Sequence, residues 1–174
     1  MIQAKRGFSL VDLMIAMMIL GIMVLSVPLM FKDLLAEKRL IQASTELVLG
    51  LDYARSLAVS RRRPFCVRAN IGGNWFRVVD ALYATDPFPH HGNDPPLSAF
   101  GLVLNPLDKH WYEVDFDRGE LHGTVTLTAV PLGNEVCFYP DGHTGSADTA
   151  MSLTCAGTTR TITINGMTGQ ISVQ

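Results

Sequence analysis

The chain has 174 residues and a mass of 19.1 kDa, the length of one domain or of one domain with an appendage. Its apolar fraction of 48% argues against disorder, and its net charge of −2 argues against a nucleic-acid binder that works through bulk positive charge. Three cysteines are too few for a domain built on disulfides, and their spacing is not that of a zinc finger.

Hydrophobicity is concentrated at the N-terminal end of the chain. Residues 8–31 carry a single charged side chain, Asp12. As a helix this stretch is about 36 Å long, enough to cross a hydrocarbon core of about 30 Å. It is too long for the apolar region of a secretory signal and lacks a small-residue cleavage site. We therefore predict an uncleaved transmembrane helix over residues 8–31.

Asp12 does not fit a simple membrane anchor, because a carboxylate inside an apolar helix is costly and is usually paired and functional. The segment from Lys5 to Ile15, KRGFSLVDLMI, resembles the class III signal of type IV pilins and type II secretion pseudopilins. That family has a short basic leader ending in Gly, then Phe, then an apolar helix with an acidic fifth residue. Asp12 takes the acidic position, where the family usually has Glu.

The resemblance implies that residues 1–7 are a leader, which a prepilin peptidase removes between Gly7 and Phe8. It also implies N-methylation of Phe8 as the new N-terminus. In a filament, the amine of one subunit can approach the Asp12 carboxylate of its neighbour, and such a pair would set register more than it adds stability. The alternative is that Asp12 reaches the cytoplasmic headgroups.

Residues 32–63 predict an amphipathic continuation of this helix, ending around Ser60 at the run Arg61–Arg63 before Pro64. Apolar residues recur there at spacings of three, four and seven. They are Leu40, Leu47, Leu51, Ala54 and Ala58. We also expect a bend near Pro28.

Residues 64–174 predict an antiparallel β domain. Two short apolar runs flank residues 70–74 and predict a hairpin, while residues 84–96 hold four prolines and predict a surface loop. Further candidate strands are 111–116, 123–130, 135–139, 151–155, 160–164 and 170–173. The expected fold class is α+β, with a long N-terminal helix packed on an antiparallel, sandwich-like domain.

This layout resembles the GspH/FimT-type branch of minor pilins and pseudopilins, in which an all-β domain follows the pilin helix. The resemblance rests on the helix end at 54–59, the turn after a strand at 138–142 and a closing strand–Gly–strand pair. Residues 64–174 hold five basic and eleven acidic side chains, a net charge of −6. An acidic exported domain repels DNA, and the tail 159–174 holds one arginine, so DNA uptake is disfavoured.

Cys137 and Cys155 lie in two candidate strands joined by a polar loop, and we expect them to form a disulfide in an oxidising compartment. Cys66 is interpreted as a small buried residue. The alternatives are that all three cysteines are reduced or that Cys66 takes one partner.

No metal site or cofactor is expected. His90 and His91 are adjacent on a loop and lack further ligands at zinc spacing. Asp141, Gly142 and His143 lack a nucleophile elbow, and turn chemistry explains them without catalysis.

These patterns predict a structural minor pilin or pseudopilin, not an enzyme. It would span the inner membrane once, with a periplasmic β domain, and enter a pilus or pseudopilus. Its partners would be other minor and major pilins or pseudopilins, in a tip or priming complex. Three alternatives remain open: a DNA- or surface-binding pilin, a membrane-anchored enzyme and a major pilin. An exposed basic patch on residues 61–77 would favour the first, and a converging polar cleft the second.

Overall fold

A computed structural model describes residues 10–81, 103–106, 110–118, 124–131, 133–145 and 147–174, without the side chains of residues 24–33. Gly7, Phe8 and the proline-rich segment 84–96 lie outside these residues. The chain forms two compact units, Met1–Ala36 and Glu37–Gln174. Helix α1 runs from Leu10 to Arg61, and its assignment is continuous through Pro28.

The second half of α1 buries one stripe, as its apolar spacing predicts. The five residues of the predicted stripe are all at most 1% exposed, and Ala43 and Leu57 extend it. Glu37 and Asp52 lie on the exposed side. The stripe is therefore the helical wall of the core of residues 37–174.

Helix α1 ends where the sequence predicts. Arg62 follows the last helical residue with a φ of 52°, the left-handed conformation that commonly terminates helices. Pro64 then excludes further helix, and the first strand begins at Phe65.

Eight strands follow among the described residues, and they form two antiparallel four-stranded sheets. The first sheet has the order β3-β2-β1-β5 and the second has the order β4-β6-β7-β8. The strands are β1 Phe65–Asn70, β2 Trp75–Asp80, β3 Glu113–Asp115, β4 Val125–Ala129, β5 Glu135–Phe138, β6 Thr149–Cys155, β7 Thr158–Ile164 and β8 Ile171–Val173. Each predicted strand is present within a few residues, and β1 and β2 form the predicted hairpin.

In both sheets, every second side chain along a strand faces the core. Val125, Leu127, Leu153 and Ile162 come from the second sheet and are at most 1% exposed. On the other face of this sheet the side chains are mainly threonine and serine. The α+β class predicted from the sequence is confirmed.

Candidate assembly surfaces

The first turns of α1 present apolar side chains on every side of the helix. Between Leu10 and Met23 every large apolar side chain is more than half exposed. They are Leu10, Val11, Leu13, Met14, Ile15, Met17, Met18, Ile19, Leu20, Ile22 and Met23. Monomeric soluble proteins rarely leave so large a contiguous apolar surface in water, so this segment requires an apolar environment.

The described residues contain no helix whose apolar stretch is sufficient, in length and hydropathy, for a membrane crossing.

Asp12 is the one charged residue in this apolar segment, and it lies in the first turn of α1. Its side chain is exposed. A carboxylate there interacts favourably with the positive end of the helix dipole. Its predicted partner is the N-terminal amine of another subunit, and the residues of the predicted cleavage site, Gly7 and Phe8, lie outside the described chain.

The disulfide predicted between Cys137 and Cys155 is wrong. Cys137 is bonded to Cys66, with an S–S distance of 2.07 Å, and Cys155 is a buried free thiol. The reason is the sheet order: β5 pairs with β1, in the register that places Cys137 directly opposite Cys66. Cys155 lies on β6 in the other sheet, where its neighbours in register are Val125 and Thr158.

Cys66 is buried, as the sequence interpretation of a small buried residue expected, but that interpretation missed the pairing with Cys137. A bond to Cys66 was one of the open alternatives. Seventy-one positions separate the two cysteines. The only available signal was the placement of both in apolar strands, and three cysteines in strands allow more than one pairing.

An exposed basic patch on residues 61–77 would favour the DNA- or surface-binding alternative. Three of the five arginines in this range are engaged, whereas Arg61 and Arg62 are exposed. Arg63, Arg68 and Arg77 each contact a carboxylate, and the Arg77 guanidinium also lies 4.0 Å from the centre of the Trp75 ring. The pairs are Arg63–Asp80 at 2.7 Å, Arg68–Glu135 at 2.9 Å and Arg77–Glu113 at 3.1 Å. Paired guanidinium groups offer less to a phosphate backbone, so Arg63, Arg68 and Arg77 do not favour the nucleic-acid alternative.

The residues expected to form a turn after β5 do so. His143 Nε2 lies 3.0 Å from Asp141 Oδ2, and the His143 ring packs on Tyr139. Gly142 has a φ of 87°, a conformation that glycine adopts without strain. This geometry supports a structural turn.

Within the described residues, one group of metal-ligating atoms lies close together, and it consists of Cys66, Cys137 and Glu135. The two sulfur atoms are bonded to each other, so they do not act as thiolate ligands. His90 and His91 lie outside the described chain.

The helical wall of residues 37–174 makes close contacts with the first sheet. Gly50 allows the ring of Phe76 to approach the helix, since an added Cβ would lie 2.6 Å from Phe76 Cε2. Nearby, Tyr53 stacks on Tyr112 with ring centres 5.3 Å apart. Burial raises the pKa of Tyr112 above its usual value of 10.0, and the charge of Glu46 raises it further.

The helix also holds the turn before β8, because Arg55 Nη2 donates a 2.9 Å hydrogen bond to the carbonyl of Thr168. Sequence reasoning singled out neither Arg55 nor Arg77. Arg55 bonds to Thr168 and Arg77 pairs with Glu113, both distant along the chain, so local pattern carried no signal for these two contacts.

Two sequence families match the chain. The family described as Type II transport protein GspH matches residues 43–169, and the prokaryotic N-terminal methylation motif matches residues 2–28. No curated protein matches the chain significantly.

Solved structures with a similar fold include two minor subunits. The type IV minor pilin FimU of Pseudomonas aeruginosa is 21% identical, with a TM-score of 0.51 over 79% of this chain and 90% of FimU. The minor pseudopilin EpsH of the Vibrio cholerae type 2 secretion system is 12% identical, with a TM-score of 0.50 over 78% of this chain and 96% of EpsH. Because the GspH match covers more than half of its length, the chain belongs to the GspH family of minor pilins and pseudopilins of type IV pili and type II secretion systems.

Proposed function

We propose that this protein is a minor subunit that joins the tip or priming complex of a type IV pilus or type II secretion pseudopilus. One observation carries the proposal: a helix with apolar side chains on every side, exposed from Leu10 to Met23, precedes a domain with its own closed core. Lipid can cover that helix before assembly, and apolar helices of sibling subunits can cover it afterwards.

The match to the methylation motif supports a maturation step. We place the prepilin peptidase cut between Gly7 and Phe8, with N-methylation of Phe8. Segment 8–31 then serves as the membrane and filament-core helix, and segment 32–63 as its amphipathic continuation. The new N-terminus lies four residues before Asp12, so a neighbouring subunit's amine can reach this carboxylate within a helical bundle. Because the surroundings are apolar, each charge is costly without the other.

The β domain, residues 64–174, is assigned to the periplasmic side of the inner membrane. The disulfide between Cys66 and Cys137 supports this assignment, since such bonds persist in oxidising compartments. Transfer from lipid into a filament exchanges one apolar environment for another, so helix burial alone supplies little driving force. Extraction from the membrane therefore requires an external motor.

Intact-mass analysis of the protein from its native membrane tests this function. The expected mass lacks residues 1–7 and gains one methyl group. Cells without prepilin peptidase provide the control, and in them the leader should remain. An uncut N-terminus in cells with active peptidase would contradict the proposal.

A second measurement separates a minor from a major subunit. Quantitative mass spectrometry of sheared filaments should find this chain at a small fraction of the most abundant pilin or pseudopilin. Deleting the chain should reduce filament number, because priming is lost. Equal abundance with the main subunit would identify a major pilin instead.

A further inference from the structure

The described residues of the β domain enclose a cleft of about 540 Å³ between the edge strand β5 and the beginning of β6. This volume is within the range of clefts that hold ligands. Its walls are formed by Pro131, Glu135, Cys137, Thr144, Ala147, Asp148, Thr149 and Ala150.

The backbone of β5 faces this cleft. The N–H of Ala69 donates to the carbonyl of Asn134 at 2.8 Å, which sets the alternation of the ladder between β1 and β5. In an antiparallel pair, every second residue bonds to the neighbouring strand. Val136 therefore bonds to β1, whereas the N–H and C=O groups of Glu135 and Cys137 point away from it, into the cleft.

Strand β6, on the opposite side of the cleft, also has backbone groups that point away from its neighbouring strand, β7. Thr161 exchanges two backbone hydrogen bonds with Gln174, at 3.0 and 2.9 Å, which sets the alternation in β7. The register between β6 and β7 then directs the backbone groups of Thr149 and Met151 toward β7. The N–H and C=O groups of Ala150 consequently point to the side away from β7.

Strand β4 does not cover this part of β6, because its last residue, Ala129, lies opposite Ser152. Among the described residues, no strand pairs with Ala150 on that side or with the outer edge of β5. Within the described chain, two strand edges from different sheets thus border one cleft without a strand partner. Beyond Cys137 the edge of β5 is closed, because the N–H of Tyr139 donates to the carbonyl of His143 at 2.9 Å. Open edges of this kind readily accept another extended chain.

The charge of the cleft indicates which chain it would accept. Glu135 and Asp148 line it, and none of its lining residues is basic. Glu135 forms an ion pair with Arg68, whereas Asp148 has no basic partner among the described residues. Asp148 Oδ1 accepts a hydrogen bond from the N–H of Gly166 at 2.8 Å. The lining is otherwise small or apolar, with Ala147 and Ala150 leaving room for side chains.

We propose that this cleft binds an extended segment of a partner protein by strand addition. The segment would pair with β5 through Glu135 and Cys137, bond to Ala150 of β6, and place a basic side chain near Asp148. Main-chain hydrogen bonds would provide affinity and the carboxylates would provide selectivity. This inference goes beyond the proposed function, because it gives the β domain a partner-binding site separate from the apolar helix.

The test uses the full mature chain in detergent micelles, labelled for amide NMR, with the capped heptapeptide TVTRTVT as probe. We expect shift changes and slower amide exchange at Glu135, Cys137 and Ala150. The same peptide with glutamate in place of arginine should bind about tenfold more weakly, because it faces two carboxylates.

Ala150→Pro removes one N–H that faces the cleft and takes no bond from the ladder with β7. It should weaken binding of TVTRTVT roughly fivefold to tenfold, the effect of one lost hydrogen bond. Ala150→Val keeps the N–H and is the matched control, and melting temperatures check that both variants fold. The proposal is overturned if millimolar peptide leaves the three amides unchanged, if Ala150→Pro binds like Ala150→Val, or if changes are confined to residues 10–23.

Discussion

The side-chain amide of Asn74 takes the place of a strand residue beside Leu127. Asn74 Oδ1 accepts the backbone N–H of Leu127 at 2.8 Å, and its Nδ2 donates to the carbonyl of Val125 at 2.8 Å and to Asp117 at 2.7 Å. Asn74 lies in the hairpin turn before β2, whereas Leu127 and Val125 belong to β4. One buried side chain thus joins the two sheets.

Replacing Asn74 with alanine should destabilise the domain strongly. The variant leaves the N–H of Leu127 and the carbonyl of Val125 buried without partners, and each stranded group costs about 1–3 kcal/mol. Chemical unfolding of the mature chain in detergent, followed by the fluorescence of Trp75 and Trp111, measures the change. Asn134→Ala is the matched control, because Asn134 is exposed and its φ of 59° is close to the φ of 51° at Asn74. Equal losses in the two variants would mean that backbone strain, and not the inter-sheet bonds, is responsible.

The disulfide provides a second prediction. Peptide mapping without reductant should recover Cys66 linked to Cys137, with Cys155 alkylated only after unfolding. Cys137→Ser should lower the free energy of unfolding by about 4 kcal/mol in the chain-entropy treatment of a loop of this length. Cys155→Ala keeps the bond and should cost much less. Recovery of a peptide that links Cys137 to Cys155 would contradict the observed sheet order.

The substitution Gly50→Ala distinguishes the effect of helix propensity on stability from the effect of packing. Propensity alone predicts that Gly50→Ala stabilises the helix by about 1 kcal/mol. The ring of Phe76 is buried and lies too close for a Cβ, so we expect a net loss of roughly 1–3 kcal/mol instead. Thermal unfolding of the mature chain in detergent measures this loss. Gly21→Ala is the control, since no atom outside its own helix backbone lies within 4 Å of an added Cβ. A stabilised Gly50→Ala variant would show that Phe76 moves aside freely.

The raised pKa of Tyr112 predicts that the stability of the fold depends on pH in the alkaline range. Burial raises its pKa in the folded state above 10.0, so above pH 10 the unfolded chain loses this proton more readily than the folded chain does. The contribution of neutral Tyr112 to stability is complete below pH 10 and is lost as pH rises through the folded-state pKa. The free energy of unfolding should therefore decline between pH 8 and 11.5. Tyr112→Phe should reduce this decline. An unchanged slope in that variant would assign the decline to other groups.

Local patterns predicted the elements well, because period-two and helical spacing depend only on nearby residues. The stripe through Leu47 and Leu51 and the hairpin of β1 and β2 are of this kind. The pairing of Cys66 with Cys137 was missed because it depends on which strands are neighbours, and strand order is a property of the whole chain. The roles of Asn74 and Arg77 were missed for the same reason, since their partners lie far along the sequence.

Asp12 provides the prediction closest to assembly. Asp12→Ala should leave the cut between Gly7 and Phe8 intact, because the peptidase acts on the leader junction. It should reduce incorporation into filaments by roughly tenfold or more, since the neighbour's amine would then be buried without its charge partner. Mass spectrometry of membranes measures the cut, and immunoblots of sheared filaments measure incorporation.

Two further variants separate charge from shape. Asp12→Glu restores the residue usual in the resembling family and should assemble normally, whereas Asp12→Asn keeps nearly the same shape and should fail as the alanine variant does. The cost of the unpaired amine arises from its burial among apolar helices, so assembly, and not membrane insertion, is the step that should respond. Normal assembly of Asp12→Asn would show that the carboxylate's charge does not set the register, and the exposed apolar side chains from Leu10 to Met23 would then have to align the subunits alone.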